Sequence, residues 1–207
     1  AGERTWLARA VEKSGSSGLQ NANELASFVV NNYFTRAPKP LLTCKHITDK
    51  MPLNFRYVRA ALTAFPNAQV VHVYREPRAV AWSNYRTYFT QGGSDMSYAT
   101  SKKCIADFMQ YYRNTLDSWS DLPQARLHHV SYEALVKKPE KTTQGLVFKL
   151  GLKPEDNLSE RHTMRGNIRT ASSVQVRRKI YTNSNLEWQN YYDFAPAWFD
   201  QIDDIFA

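Results

Sequence analysis

Val70-Val71-His72-Val73-Tyr74-Arg75-Glu76-Pro77-Arg78-Ala79-Val80-Ala81-Trp82-Ser83 is the stretch on which the fold turns. Its first five residues are a short β-branched and aromatic run, which predicts a parallel strand covered on both faces. Pro77 suits the first turn of a helix, since its fixed φ is helical and its missing N–H would lack a partner there anyway. The same helix is expected to continue to Phe89. Arg75 therefore falls at the carboxyl end of a strand, beside a helix N-terminus. Open α/β sheets bind ligands at that edge, and unpaired amides together with the helix dipole favour an anion. Ser83 follows Pro77 by about one and a half helical turns. Taken alone, the pattern favours a surface arginine and an ordinary helix serine.

Working outward, the periodicity predicts helices over Glu3–Lys13, Leu19–Phe34, Asn54–Phe65 and Tyr98–Trp119. The last of these places Ile105, Phe108, Met109, Tyr112, Leu116 and Trp119 on one face. Further strands are expected at Leu41–Ile47 and Arg126–Ser131. Pro139 opens another helix, closed at Leu150-Gly151 with glycine where a C′ residue belongs. Beyond Gly151 the pattern is irregular: polar, arginine-rich, then aromatic. The order β-α-β-α-α-β-α argues for an α/β fold, a parallel sheet flanked by helices. His46 and His72 fall within expected strands and read as structural histidines.

The chain has 207 residues, 43% of them hydrophobic, enough for one domain over residues 1–207 with a real core. A formal charge of +8 implies an anionic partner such as a nucleotide or a sulfated or phosphorylated substrate. The absence of any run of five like charges argues against a basic nucleic-acid arm. The two cysteines, Cys44 and Cys104, have no metal spacing and read as buried thiols of a reducing compartment, with a single disulfide left open. No apolar run has membrane-spanning length and no signal peptide is seen, so the expectation is a cytoplasmic protein without membrane or metal.

Two more segments carry cations to strand ends or loops. Thr48-Asp49-Lys50-Met51-Pro52-Leu53-Asn54 puts Lys50 after an expected strand, at the same sheet edge as Arg75. Arg169-Thr170-Ala171-Ser172-Ser173-Val174-Gln175-Val176-Arg177-Arg178-Lys179-Ile180-Tyr181 offers serines, a glutamine and basic residues that could cover a phosphate. Each has an ordinary reading as solvated surface. Together they concentrate positive charge.

The blocks ITDKMPLNFRYVRAALTAFPNAQVVHVYREPRAVAWSNYRTYF, SYEALVKKPE and TASSVQVRRKIYTNSNLEWQNYY resemble the sulfotransferases, notably the bacterial type fused to tetratricopeptide repeats and the animal tyrosylprotein enzymes. The likeness runs from Gly2 to about Tyr192. It implies a P-loop-NTPase-like fold and transfer of a sulfuryl group from 3′-phosphoadenosine-5′-phosphosulfate (PAPS) to a hydroxyl or amine, leaving adenosine 3′,5′-bisphosphate (PAP), with a small-molecule or protein acceptor. By the resemblance, Arg75 and Ser83 hold the donor's 3′-phosphate, Tyr132 lines the donor site, and Ser172, Gln175 and Arg177 cover the nucleotide. Glu3 would be the base, with Lys50 and Ser172 stabilising the leaving oxygen. A lysine that the tyrosylprotein enzymes carry further along falls near Glu187, a departure from the pattern.

The family also has, ahead of the Gly2-Glu3 pair, a strand and a P-x-S-G-T-T-like loop that grips the 5′-phosphosulfate. The sequence starts at Ala1, just after that place, and Ser14-Gly15-Ser16-Ser17-Gly18 follows a helix and is no replacement. The expectation is a domain with that strand and loop missing, and a sheet edge through which copies could associate. Two other readings stand beside the enzyme. One is a nucleotide- or nucleic-acid-binding module, disfavoured because the chain has no G-x4-G-K-[ST] loop and its aromatics follow core-like spacing. The other is a remnant that binds an anionic ligand without catalysis.

Overall fold

The computed structural model describes residues 4–15, 17, 21–87, 93–153 and 185–207. The chain divides into two compact units, Ala1–Val70 with Trp119–Leu127, and Val71–Ser118 with His128–Ala207. Among the described residues the sheet has two neighbouring parallel strands, β1 (Val70–Tyr74) and β2 (Leu127–Ser131). These lie where the sequence puts them, β2 one residue shorter. The expected α/β class with helices flanking a parallel sheet is the fold observed.

In the first unit, α1 (Trp6–Ser14) packs against α2 (Ala22–Phe34) and α2 against α4 (Val58–Ala64). Asn21 caps α2 by accepting from the amides of Asn23 at 3.1 Å and Glu24 at 3.0 Å, which satisfies two orphan donors. Leu7, Ala10, Val29, Tyr33 and Ala64 form the core, with the Tyr33, Phe34 and Phe65 rings meeting edge to face. The third expected helix is split, a 3-10 segment over Pro52–Tyr57 leading into α4. It stops at Phe65, which is extended (φ −119, ψ 92) because a residue before proline is pushed out of the helical region. Arg126 then crosses to this end and donates to the carbonyls of Leu62 at 3.0 Å, Phe65 at 3.2 Å and Pro66 at 2.9 Å. A cation over orphan carbonyls also suits the negative end of a helix.

The second unit is built on α5 (Pro77–Arg86), α6 (Lys102–Asp117) and α9 (Pro196–Phe206). Ala81, Ile105, Phe199 and Ile202 are almost wholly removed from water. At roughly 1.5–3 kcal/mol for a fully buried large side chain, this contact is the main source of the unit's stability. The Trp198 indole donates to the Lys102 carbonyl at 3.0 Å, so α9 is tied to the first turn of α6. Short α7 (Tyr132–Lys137) follows β2 directly, with Ser131 as its cap, accepting from Ala134 N at 3.1 Å. α8 (Pro139–Lys149) begins at the expected proline and ends in a Schellman turn. There Leu152 N donates to Val147 O and Gly151 N to Phe148 O, both at 3.0 Å, with Gly151 at φ 68.

Several expectations are corrected. The strand expected at Leu41–Ile47 is absent: α3 (Lys39–Leu42) covers its start, and residues 43–51 pair with no strand. Pro40 fits an opening helical turn, and Thr43-Cys44-Lys45-His46 is polar and exposed, so little apolar burial rewards an extended pairing there. β1 is not covered on both faces, since Val71 is 39% and Val73 50% exposed. A run of apolar letters records what a strand could bury, and the neighbours decide what it does bury. Cys44 and Cys104 are exposed rather than buried, and neither is in a disulfide. Cys104 precedes the buried Ile105 and Ala106 on α6 and so falls on the opposite face. α7 and α9 have no counterpart among the helices expected from the sequence.

Candidate functional site

Arg75 is the first residue past β1 and is half-buried. Its guanidinium carbon stands 4.7 Å from the centre of the Tyr132 ring, the first residue of α7. Parallel neighbours end on the same side, so the residue after β1 and the residue after β2 meet face to face. Two residues assigned to the donor by sequence are thus brought together. The Arg75 Nε–H donates to Asn185 Oδ1 at 2.5 Å. Asn185 in turn donates from Nδ2 to Glu133 Oε1.

Glu133 is the hub of this corner. Its Oε1 also accepts the Glu76 amide at 3.0 Å, and its Oε2 accepts the Ser131 hydroxyl at 2.8 Å. Burial works to raise its pKa, but hydrogen bonds from Glu76, Ser131 and Asn185 outweigh it and hold the carboxyl below its ordinary value. It is a carboxylate at neutral pH, and the carboxylate shapes the loop between β1 and α5.

The N-terminus of α5 departs from expectation. Glu76 caps the helix itself, accepting from Ala79 N at 2.6 Å, and accepts from Arg78 Nε at 2.8 Å. The Glu76 amide is taken by Glu133, and Pro77 has none to offer. Amides that the sequence reading reserved for an anion are therefore in part filled by the protein's own carboxylates. At this corner the cation next to the end of β1 is Arg75, held by Asn185 and against the Tyr132 ring. Arg78 lies 4.3 Å from the Trp188 ring centre and is oriented by Glu76.

Ser83 is half-buried on α5, and its carbonyl accepts from Thr87 Oγ1 at 2.6 Å. Lys50 is exposed and belongs to the first unit. Beside it, Asp49 accepts from the Tyr33 hydroxyl at 3.0 Å and from Asn54 Nδ2 at 3.2 Å, fixing the loop that carries the lysine. Burial pushes the Asp49 carboxyl up, against the hydrogen bonds from Tyr33 and Asn54 that lower it. Glu3, Ser172, Gln175 and Arg177 lie outside the described residues. Glu187, where related enzymes carry a lysine, pairs with Arg86.

Sequence reasoning missed Asn185 and the role of Glu133. The glutamate stands inside the Ser-Tyr-Glu-Ala-Leu block and could have been suspected there. Asn185 carries no signal in Thr182-Asn183-Ser184-Asn185-Leu186.

His72 sits on β1 with its Nδ1 2.9 Å from His129 Nδ1 on β2 and its Nε2 against the Tyr112 hydroxyl. If Tyr112 donates to Nε2 and the His72 Nδ1–H donates to His129, both rings are neutral and every contact is satisfied. Burial, aided by the neighbouring His129, lowers the His72 pKa to about 4. Burial also raises the Tyr112 hydroxyl to about 12.

Comparison with known proteins gives the family and the fold. A model of the Sulfotransferase family matches residues 7–156. The chain belongs to the sulfotransferase family. It is also 32% identical over 173 residues to an uncharacterized protein of Aquifex aeolicus (strain VF5), covering 84% of this chain. The chain spans only 23% of that relative's length. Among solved structures, the sulfotransferase domain from the curacin biosynthetic pathway superposes with a TM-score of 0.58 at 16% identity. The match covers 91% of this chain and 74% of that domain, and supports a shared P-loop-like fold. The Arg75–Tyr132 corner lies within the family match. Among the described residues no helix is long and apolar enough to cross a membrane, and no group of three or more His, Cys, Asp or Glu could hold a metal ion.

Proposed function

We propose that this sulfotransferase-family chain transfers a sulfuryl group from PAPS to a hydroxyl or amine. The observation that carries the reading is the Arg75–Tyr132 pair, a cation oriented at the carboxyl end of β1 within the family match. A guanidinium offers five N–H donors in a rigid fork that suits phosphate oxygens, and an aromatic face beside it suits a purine nucleotide. This chemistry fits the donor's 3′-phosphate, with Ser83 adding a hydroxyl from α5. By resemblance, Tyr132, Ser172, Gln175 and Arg177 complete the donor's surroundings.

Sulfuryl transfer makes two demands on side chains. A base must take the acceptor's proton, and a donor or cation must meet the negative charge that grows on the bridging oxygen. Glu3 is assigned the first role, Lys50 and Ser172 the second, all three by resemblance to the tyrosylprotein branch.

The test has two arms. Calorimetry measures PAP binding in competition with single-stranded RNA, and a radiolabelled assay follows sulfate from PAPS to a panel of phenols, alcohols, amines and tyrosine peptides. Tight PAP binding with transfer supports the enzyme. PAP binding without transfer to any acceptor favours the non-catalytic anion-binding reading, and preference for RNA overturns the donor assignment.

A further inference from the structure

The loop that carries Lys50 is closed by the side chains that flank it. Asp49 Oδ1 accepts from Asn54 Nδ2 at 3.2 Å, so one hydrogen bond spans Lys50-Met51-Pro52-Leu53. The other carboxylate oxygen accepts the Tyr33 hydroxyl at 3.0 Å, and Tyr33 is a buried core residue on α2. The Asn54 amide donates to the Met51 carbonyl at 2.9 Å, Met51 is extended before Pro52, and Leu53 is buried. The backbone on both sides of Lys50 is thereby tied to α2 and to the start of the 3-10 segment.

Asn54 is a costly side chain for stability alone. Its Oδ1 is buried and accepts no hydrogen bond among the described residues. A buried acceptor without a partner is destabilising. The amide must aim its nitrogen at the Asp49 carboxylate, and its oxygen is left stranded. Broken rules of polar satisfaction are expected at functional sites.

We infer that Asp49, Asn54 and Tyr33 are positioning residues that hold the Lys50 backbone for the step in which charge grows on the leaving oxygen. The inference rests on the sulfuryl-transfer reading above, in which Lys50 meets that oxygen. The three residues act through Lys50. Loosening the loop therefore harms the transition state and leaves donor binding in place, and the harm requires the lysine to be present.

The experiment follows radiolabelled transfer from PAPS on the full chain, with PAP calorimetry and thermal melting alongside. Wild type, Lys50→Ala, Tyr33→Phe, Asn54→Ala, Asn54→Asp and the double variant Lys50→Ala/Asn54→Ala are measured. Asn54→Ala should lower kcat by about ten- to a hundredfold, with KM for PAPS and PAP affinity near wild type, as for a misplaced catalytic group. Tyr33→Phe keeps the ring packing, removes the hydroxyl, and should lower kcat less. Asn54→Asp sets two carboxyls against each other, and they can share a proton only at lower pH, so its kcat relative to wild type should rise as pH falls. In the double variant, Asn54→Ala should add nothing to the loss from Lys50→Ala. Losses that multiply in the double variant, or that appear in PAP affinity rather than kcat, would overturn the inference. If Asn54→Ala does not fold, Tyr33→Phe and the pH profile of Asn54→Asp decide it. If Lys50→Ala loses transfer while every Asn54 and Tyr33 variant turns over normally, the positioning role falls and the lysine assignment stands. If Lys50→Ala transfers like wild type, the inference falls and sulfuryl transfer stands. A wild type that transfers to no acceptor overturns both.

Discussion

The Arg75 guanidinium stands 4.7 Å from the centre of the Tyr132 ring, one residue past β1 against the first residue past β2. Strand pairing brings them together, and the contact orients a cation at the carboxyl end of the strands. Cation–π contacts at partly exposed sites contribute roughly 0.5–1 kcal/mol. Tyr132→Phe should therefore leave PAP affinity close to wild type, while Tyr132→Leu should weaken it by about that amount. Calorimetry of the two variants separates the ring from the hydroxyl.

Arg75 is expected to matter more. Arg75→Ala should cost about 1.5–3 kcal/mol of PAP binding, the range for hydrogen bonds to charged groups. Arg75→Lys should not restore it, because lysine has no Nε–H for Asn185 and no fork for phosphate. Ser83→Ala should cost less than either. Unchanged affinity in Arg75→Ala rejects the phosphate assignment.

His72 sets a pH dependence of stability. Its folded pKa of about 4 lies below the ordinary value of 6.5, so the unfolded chain binds the proton more readily between those limits. Stability is then fully present above about pH 6.5 and falls as pH drops toward 4, at most by about 1.4 kcal/mol per pH unit. Urea titrations at pH 7 and pH 5 measure the slope. His72→Asn, which cannot titrate, should flatten it, and an unaltered slope in that variant assigns the effect elsewhere.

Arg126 links the residue before β2 to the end of α4 through three carbonyls. Arg126→Ala should destabilise the first unit by about 1–2 kcal/mol, comparable with losing a good helix cap. Hydrogen exchange should show the loss at residues 58–66 while α9 stays protected.

The core of the second unit gives the largest expected effect. Phe199 is 1% exposed and packs within a cluster that includes Ile105 and Ile202. Phe199→Ala should cost about 3–5 kcal/mol through lost burial and a residual cavity. A loss below 1 kcal/mol in chemical denaturation would show that α9 is not integral to the unit.

The elements legible in advance were those governed by local chemistry. β1 runs from Val70 to Tyr74 as its β-branched residues dictate, and α5 starts at Pro77 because proline's φ is already helical. Gly151 closes α8 because its positive φ costs a glycine little. Leu41–Ile47 failed as a strand because its letters leave helix and strand nearly equal, so that context decides. α9 was passed over because its apolar residues Trp198, Phe199 and Ile202 sit among aspartates after an irregular stretch, and only α5 and α6 reveal what they bury.

The sequence by itself determined that a strand ends just before Arg75, that Pro77 turns the chain into a helix, and that Tyr132 follows a second strand. Each depends on residues a few positions apart. The tertiary structure alone decided that Tyr132 faces Arg75 and that Asn185, 110 residues later, stands between that arginine and Glu133. A backbone dihedral responds to its immediate neighbours, so one-dimensional order records it. A hydrogen bond between distant side chains forms only after sheet pairing and helix packing have fixed where each stands, and no local pattern of letters carries that information.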